Sequence, residues 1–307
     1  MGAANFIQKP PKMWFPTTVE EAWAIKQKYN KEASYIAGGT FLQLQREKGM
    51  VLPPHLISLK KIPELHLLDF CQTEEKSVVI GANVPLSNLL NSSLLLPYQS
   101  SIIKTLLQIA APAIRNLATI GGNLAHGFGD LFPSLLTIDA QLTWFNGMDK
   151  QTKPLVDFIQ SKQVAPAAFE NILIMEILLP EYSVYEDENY YFEKLGRRES
   201  FVPAIVSVAA MLELDSNQVV DSVRLALSGS NHHPKRLFQT EQVLLGNEVT
   251  PELLQKVYQS ILQEYRPIDD PFVDSTYKTR VVANLFCSEI VRRITMEKEG
   301  ERDASSL

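Results

Sequence analysis

Apolar positions fall in short blocks along the first part of the chain, each closed by glycine or proline. Residues 18–30, TVEEAWAIKQKYN, open on Thr17 or Thr18 as an N-cap and place Glu20 and Glu21 in the first turn. Ala22, Ala24, Ile25 and Tyr29 supply an apolar side, so a helix is predicted. SYIAGG then reads as a strand running into a glycine turn, residues 41–47 as the start of another helix, and LISL at 56–59 as a strand behind Pro53 and Pro54.

The middle of the chain repeats this grammar. SVVIGA at 77–82 predicts a strand, PLSNLLNS at 85–92 a short helix, and YQSSIIKTLLQIA at 98–110 the clearest helix, with Ile102, Leu106, Ile109 and Ala110 at helical spacing and Pro112 closing the run. TIGGN marks a glycine turn, and residues 130–145 a helix or turn feeding a strand. Asn146-Gly147 signals a hairpin, and ILIMEILLP at 172–180 a strong strand. The acidic and aromatic run near residue 185 predicts a boundary. Beyond it, residues 204–214 and 219–227 suggest paired strands around the DSNQ turn, although the first run also suits a helix; helices are expected at 251–264 and 275–294.

Composition narrows the class. A chain of 307 residues, 45% hydrophobic and 21% charged, buries enough surface for two or three domains. A net charge of -6 without a basic block speaks against nucleic acid as a main partner. No apolar run is long enough to predict a membrane span, and the opening residues lack the pattern of a secretory signal, so a cytoplasmic location is expected. Cys71 and Cys287 cannot supply the usual four thiolates of a [2Fe-2S] cluster, and the histidines at 55, 66, 126, 232 and 233 show no metal-ligand spacing. Redox chemistry here calls for an organic cofactor, with any metal carried by another chain.

Two glycine pairs are the leading candidates for chemistry. In Ile36-Ala37-Gly38-Gly39-Thr40-Phe41 the absence of two Cβ atoms lets backbone N–H groups approach a phosphate, with Thr40 as an extra donor; a plain structural turn is the competing reading. Thr119-Ile120-Gly121-Gly122-Asn123 repeats the logic, and two such turns suggest a diphosphate held from two sides. Neither matches GxGxxG, so a Rossmann site is not supported. Asp130 suits a ribose hydroxyl or the N-cap of the following helix. The cations Lys194, Arg197 and Arg198 suit phosphates, or surface pairing with neighbouring acids, and Arg115 is equally ambiguous. His126 lies in the loop between Asn123 and Asp130, and Tyr185, Tyr190, Tyr191 and Phe192 suit either a ring system or ordinary packing. No nucleophile, base and orienting acid can be assembled from spacing.

AGGTFL at 37–42 and IRNLATIGGNLA at 114–125 resemble the FAD-binding medium subunit of molybdenum hydroxylases, the xanthine dehydrogenase and carbon monoxide dehydrogenase-like flavoproteins. HLISLKKIPEL at 55–65, VVIGANVPLSNLL at 78–90, DLFPSLLTIDAQL at 130–142, EKLGRRESFVPAIVSVAAMLEL at 193–214, YRPIDD at 265–270 and STYKTRVVANLF at 275–286 continue the likeness. The resemblance implies an α+β fold: a two-part FAD-binding domain of the PCMH/vanillyl-alcohol oxidase-like type, at 1–58 and 59–184, then a C-terminal α+β domain of the CO dehydrogenase flavoprotein type at 185–295 and a flexible tail at 296–307. It implies that Ile36, Ala37, Gly38, Gly39, Thr40 and Phe41 form one pyrophosphate loop, and Thr119, Ile120, Gly121, Gly122 and Asn123 the other. Asp130 is placed near the ribose, Ile109 near the adenine, Ile174 beside the flavin and Lys194 along the isoalloxazine. Three departures stand out: AHGFG at 125–129 is shorter than the usual serine-proline loop, Phe41 replaces an aspartate or small polar residue, and LSGS at 227–230 replaces a commonly glycine-rich run.

The implied role is electron transfer with no protein catalytic residue. A large partner subunit would carry molybdopterin and oxidise a purine or another N-heterocycle, a small one would carry [2Fe-2S] centres, and FAD in this chain would pass electrons to NAD+ or another acceptor. A self-contained FAD oxidoreductase and a scaffold that has lost FAD are the alternatives.

Overall fold

The computed structural model describes residues 10–71, 76–181, 189–196, 204–229, 232–270 and 273–304, the last nine of these as backbone only. The boundary near 185 and the cations Arg197 and Arg198 lie outside them.

Three sheets organise the described residues. Strands β1 (Lys12–Trp14), β2 (Ala33–Ile36) and β3 (His55–Ser58) form a parallel sheet in the order β1-β3-β2. Helix α1 (Val19–Tyr29) crosses between β1 and β2, with the Thr18 hydroxyl capping the Glu21 amide at 3.1 Å. Its Val19 and Ala22 join Ile57, Ile62 and Leu65 in one core. Helix α2 (Thr40–Glu47) follows β2 directly after the glycine pair.

The second sheet has five strands: β4 (Leu68–Cys71), β5 (Ser77–Gly81), β6 (Gln141–Phe145), β7 (Lys150–Pro154) and β8 (Leu173–Pro180), in the order β4-β5-β8-β6-β7. β8 is central, and its strict alternation buries Leu173, Met175, Ile177 and Leu179. Ile177 pairs in register with Ile80 on one side and Leu142 on the other. The hairpin signal is realised between β6 and β7: Gly147 has φ 101°, and the Asn146 side chain accepts the amides of Met148 and Asp149.

Short helices cover this sheet: α3 (Leu86–Leu90), α4 (Lys104–Leu107), α5 (Pro112–Arg115), α6 (Ile120–Ala125), α7 (Phe132–Thr137) and α8 (Leu155–Val164). The helix expected over 98–110 is corrected. The segment is a 3-10 turn at Ser93–Tyr98, a π turn at Gln99–Ile103 and only then α4, and Ala110 turns out with φ 51°. Arg115 holds the break. Buried at 8% exposure, it donates to the carbonyls of Ile109 and Ala110 at 2.9 and 2.8 Å, groups that an ending helix leaves without partners.

The third sheet is antiparallel: β9 (Tyr190–Leu195), β10 (Val206–Leu214), β11 (Val220–Gly229) and β12 (His232–Arg236), in the order β12-β11-β10-β9. The 204–214 run is therefore a strand, and Gln218 makes the expected turn with φ 63°. Helices α9 (Phe238–Leu244), α10 (Pro251–Glu264) and α11 (Ser275–Ala304) complete this part, with α11 reaching ten residues beyond the position expected for its end. Leu253, Val257, Ile261, Val282 and Phe286 pack with inward residues of β10 and β11. Among the described residues no helix is long and apolar enough to cross a membrane.

Candidate functional site

The first glycine turn is where the chain leaves β2 for α2. Gly39 sits at the N-cap with φ 70°, a conformation that favours glycine, and α2 has no side-chain cap. Among the described residues, no acceptor is recorded for the amides of Gly39, Thr40 and Phe41. The first turn of an eight-residue helix therefore presents N–H groups and the positive end of its dipole.

The second turn lies against the first. A Cβ on Gly38 would fall 1.7 Å from the carbonyl oxygen of Leu117, just ahead of Thr119. The convergence expected of the two glycine pairs is thus a backbone-to-backbone contact that a methyl group would prevent.

The second turn differs chemically from the expectation. Residues 120–125 form α6, and their first amides are already used. Ile120 donates to Val84 at 3.2 Å, Gly121 to Ala82 at 2.9 Å, Gly122 to the Thr119 hydroxyl at 3.1 Å and Asn123 to the Thr119 carbonyl at 3.0 Å. Gly121 is needed for close approach, since its Cβ would lie 2.5 Å from that of Ala82. The Asn123 Oδ1 accepts the Leu131 amide at 3.4 Å. This turn positions the site, and the first turn carries the open amide donors.

Asp130 does not cap α7, whose preceding residue Leu131 makes no side-chain cap. Its Oδ2 accepts from Lys194 Nζ at 2.5 Å and its Oδ1 from the Ser207 hydroxyl at 3.0 Å. Lys194, on β9, also reaches the Gln108 carbonyl at 3.4 Å. Its partner is thus a carboxylate across the molecule rather than an acid beside it in sequence. Nearby, Tyr190 donates to the buried Ser134 hydroxyl at 2.6 Å, and Ser228 to the Gly129 carbonyl at 3.3 Å. Ile109 is buried in the core of the five-stranded sheet, and Ile174 is half buried on β8 opposite Trp144. Ser207, Gln108 and Leu117 were not found from sequence, because each acts through a partner remote along the chain and carries no local motif.

His126 follows α6. Burial lowers its pKa from the ordinary histidine value, against smaller raising effects of its own carbonyl and Asp130. Its ring stacks on Phe41, with centroids 4.6 Å apart. Among the described residues no group of three or more His, Cys, Asp or Glu side chains is placed to hold a metal ion.

The comparisons with known proteins identify the family of this α+β chain. Residues 7–182 match the family described as FAD binding domain in molybdopterin dehydrogenase, residues 190–290 match the CO dehydrogenase flavoprotein C-terminal domain, and the chain belongs to this family. Among its relatives, the carbon monoxide dehydrogenase medium chain of Hydrogenophaga pseudoflava is 27% identical over 280 residues, covering 90% of this chain and 95% of that one. The xanthine dehydrogenase FAD-binding subunit of Escherichia coli O157:H7 is 23% identical, with coverage of 78% and 80%. The solved carbon monoxide dehydrogenase of H. pseudoflava that lacks the Mo-pyranopterin moiety matches in fold with a TM-score of 0.75, at 24% identity, over 92% of this chain and 96% of that chain. Reconstituted CO dehydrogenase from Oligotropha carboxidovorans gives 0.76 at 22% identity, over 92% and 97%.

Proposed function

We propose that this chain binds FAD across its two glycine turns and serves as the electron-transfer subunit of a molybdenum hydroxylase. The observation that carries the reading is the open amide set at the start of α2, set against the second turn through the Gly38–Leu117 contact. Such donors suit the diphosphate of a dinucleotide, which needs hydrogen bonds and compensating positive potential. When bound, FAD supplies one- and two-electron redox chemistry.

The chain's residues would bind and orient. Gly39, Thr40 and Phe41 would donate main-chain hydrogen bonds, while Thr119 to Asn123 would fix the opposing wall. Asp130 would meet the ribose side only by sharing the oxygens now held by Lys194 and Ser207. Lys194 would place a positive charge along the flavin, and the buried Ile109 and half-buried Ile174 would provide apolar support near the adenine and ring.

Electrons would arrive from an iron-sulfur subunit and, ultimately, a molybdopterin-bearing one, and leave to NAD+ or another acceptor in the cytoplasm. The names of several relatives refer to nicotinate, nicotine and xanthine dehydrogenation or hydroxylation, which favours an N-heterocycle, a purine included, as the substrate of the parent complex.

Two measurements test the reading. FAD titrated into the chain should lose fluorescence saturably and raise the melting temperature. Co-expression with candidate iron-sulfur and molybdopterin subunits should recover a flavin-containing complex. A chain that neither binds FAD nor retains such subunits would overturn the proposal, and turnover of a small substrate by the isolated flavoprotein would favour a self-contained oxidoreductase.

A further inference from the structure

The two glycine turns are joined by side chains as well as backbone. Phe41 lies in the first turn of α2 and His126 immediately follows α6; their rings stack with centroids 4.6 Å apart and planes at 17°. Phe41 is 39% exposed, so the pair sits at the rim of the site rather than in the core. Ring pairs of this geometry attract beyond the area they bury.

The imidazole is also held at its edge. The Phe128 amide donates to its Nδ1 at 3.3 Å. A nitrogen that accepts carries no proton, so the neutral ring bears its hydrogen on Nε2. The lowered pKa keeps the ring neutral around pH 7 and therefore compatible with this arrangement.

We propose that Phe41 and His126 form a positioning clasp, which holds the first turn of α2 against the end of α6 and so presents the open amides of Gly39, Thr40 and Phe41 in a preformed array to the FAD diphosphate. This rests on the FAD reading above. The physical reason is preorganisation: donors at a turn between a strand and a short helix must be ordered before they grip an anion, and ordering them in advance removes that cost from binding. Neither residue needs to touch the reacting part of the cofactor. The remaining Nε2–H is a separable second contribution.

The test uses the full chain and FAD itself. Phe41→Leu and His126→Leu keep apolar volume and remove the stack; each should weaken FAD roughly two- to tenfold in a fluorescence titration. The double variant should bind no more weakly than the weaker single, since both lose one interaction. Phe41→Tyr and His126→Phe keep two stacked rings and should restore affinity to near the parent value. Hydrogen exchange without FAD should speed up at residues 39–41 in the leucine variants while the melting temperature stays unchanged. Parent-like affinity in both leucine variants, or failure of the ring-retaining variants to rescue, overturns the clasp and leaves FAD binding standing. A parent chain that does not quench FAD overturns the function and the clasp together. Rescue by Phe41→Tyr but not by His126→Phe would overturn the ring-stacking account in favour of the Nε2–H.

Discussion

Gly38 does its work by having no side chain. With the Leu117 oxygen 1.7 Å from where a Cβ would stand, Gly38→Ala must push the two turns apart. The expected cost is about 1–3 kcal/mol of stability, from overpacking against backbone, together with a marked loss of FAD affinity; denaturant unfolding and FAD titration check the two separately. His232 acts through charge. Its Nδ1 is buried with no hydrogen-bond partner among the described residues, its ring meets Tyr265 edge-on, and burial, with smaller help from the positive groups Lys235, His233 and Lys278 and against a raising hydrogen bond at the His233 backbone, lowers its pKa to about 4. As pH falls from about 6.5 toward 4, the unfolded chain takes up a proton that the folded chain refuses. Stability is therefore full above that window and declines within it. His126 adds in the same direction. His232→Asn should flatten, without abolishing, the fall in melting temperature between neutral pH and pH about 4; an unchanged slope would remove His232 from the account. The glycine pairs were legible at this scale as doubled glycines, although only the first falls between a strand and a helix and the second lies inside α6. Which amides they leave open was not, since the acceptors Val84 and Ala82 are set by a strand end far back in sequence.

At the scale of elements, legibility followed periodicity. β8 declared itself through alternation, and α1 through its cap and first-turn acids. The 98–110 run misled because its apolar spacing is helical while the last carbonyls are claimed by Arg115, a residue beyond the proline expected to close it. β9 was hidden by its acids and tyrosines, which fit a strand with one buried face: Tyr190 and Phe192 point inward and Glu193 does not. The YRPIDD and STYKTR motifs could be recognised as text, but only the fold supplies their cause. Lys278, wholly buried on α11, pairs with Asp270, whose side chain is 6% exposed, at 2.8 Å and donates to the Ile268 carbonyl at 2.9 Å. The pair anchors the start of the last helix to the segment leading into it. Lys278→Ala should cost about 3–5 kcal/mol, because it removes one member of a buried ion pair together with its packing. Lys278→Met combined with Asp270→Leu should recover much of that loss in urea unfolding. If the double variant is no more stable than the single, the pair supplies specific geometry rather than charge balance alone.

Over the whole molecule, the third sheet is attached to the flavoprotein domain by a polar seam with two ends. At one end Asp130 takes Lys194 and Ser207, beside the glycine turns. At the other Asp139, held at φ 54°, takes Arg236 at 2.6 Å and Arg224 at 2.8 Å, while Arg236 also grips Glu241. Both ends flank α7, so the same short helix links the Asp130 end, near the second glycine turn, to the C-terminal sheet. The distinction between the ends can be measured. Asp139→Asn keeps a residue that tolerates a left-handed backbone and removes the charge. Since Asp139 is half exposed, the loss should be modest, about 1 kcal/mol, seen as a lower melting temperature with unchanged FAD affinity. Asp130→Asn should also weaken FAD, because it frees Lys194 at the site itself. Calorimetry and FAD titration on the two variants separate attachment from cofactor binding. Should Asp139→Asn reduce FAD affinity as much as Asp130→Asn, α7 would have to be transmitting the state of the seam to the turns, and the two ends would act as one device.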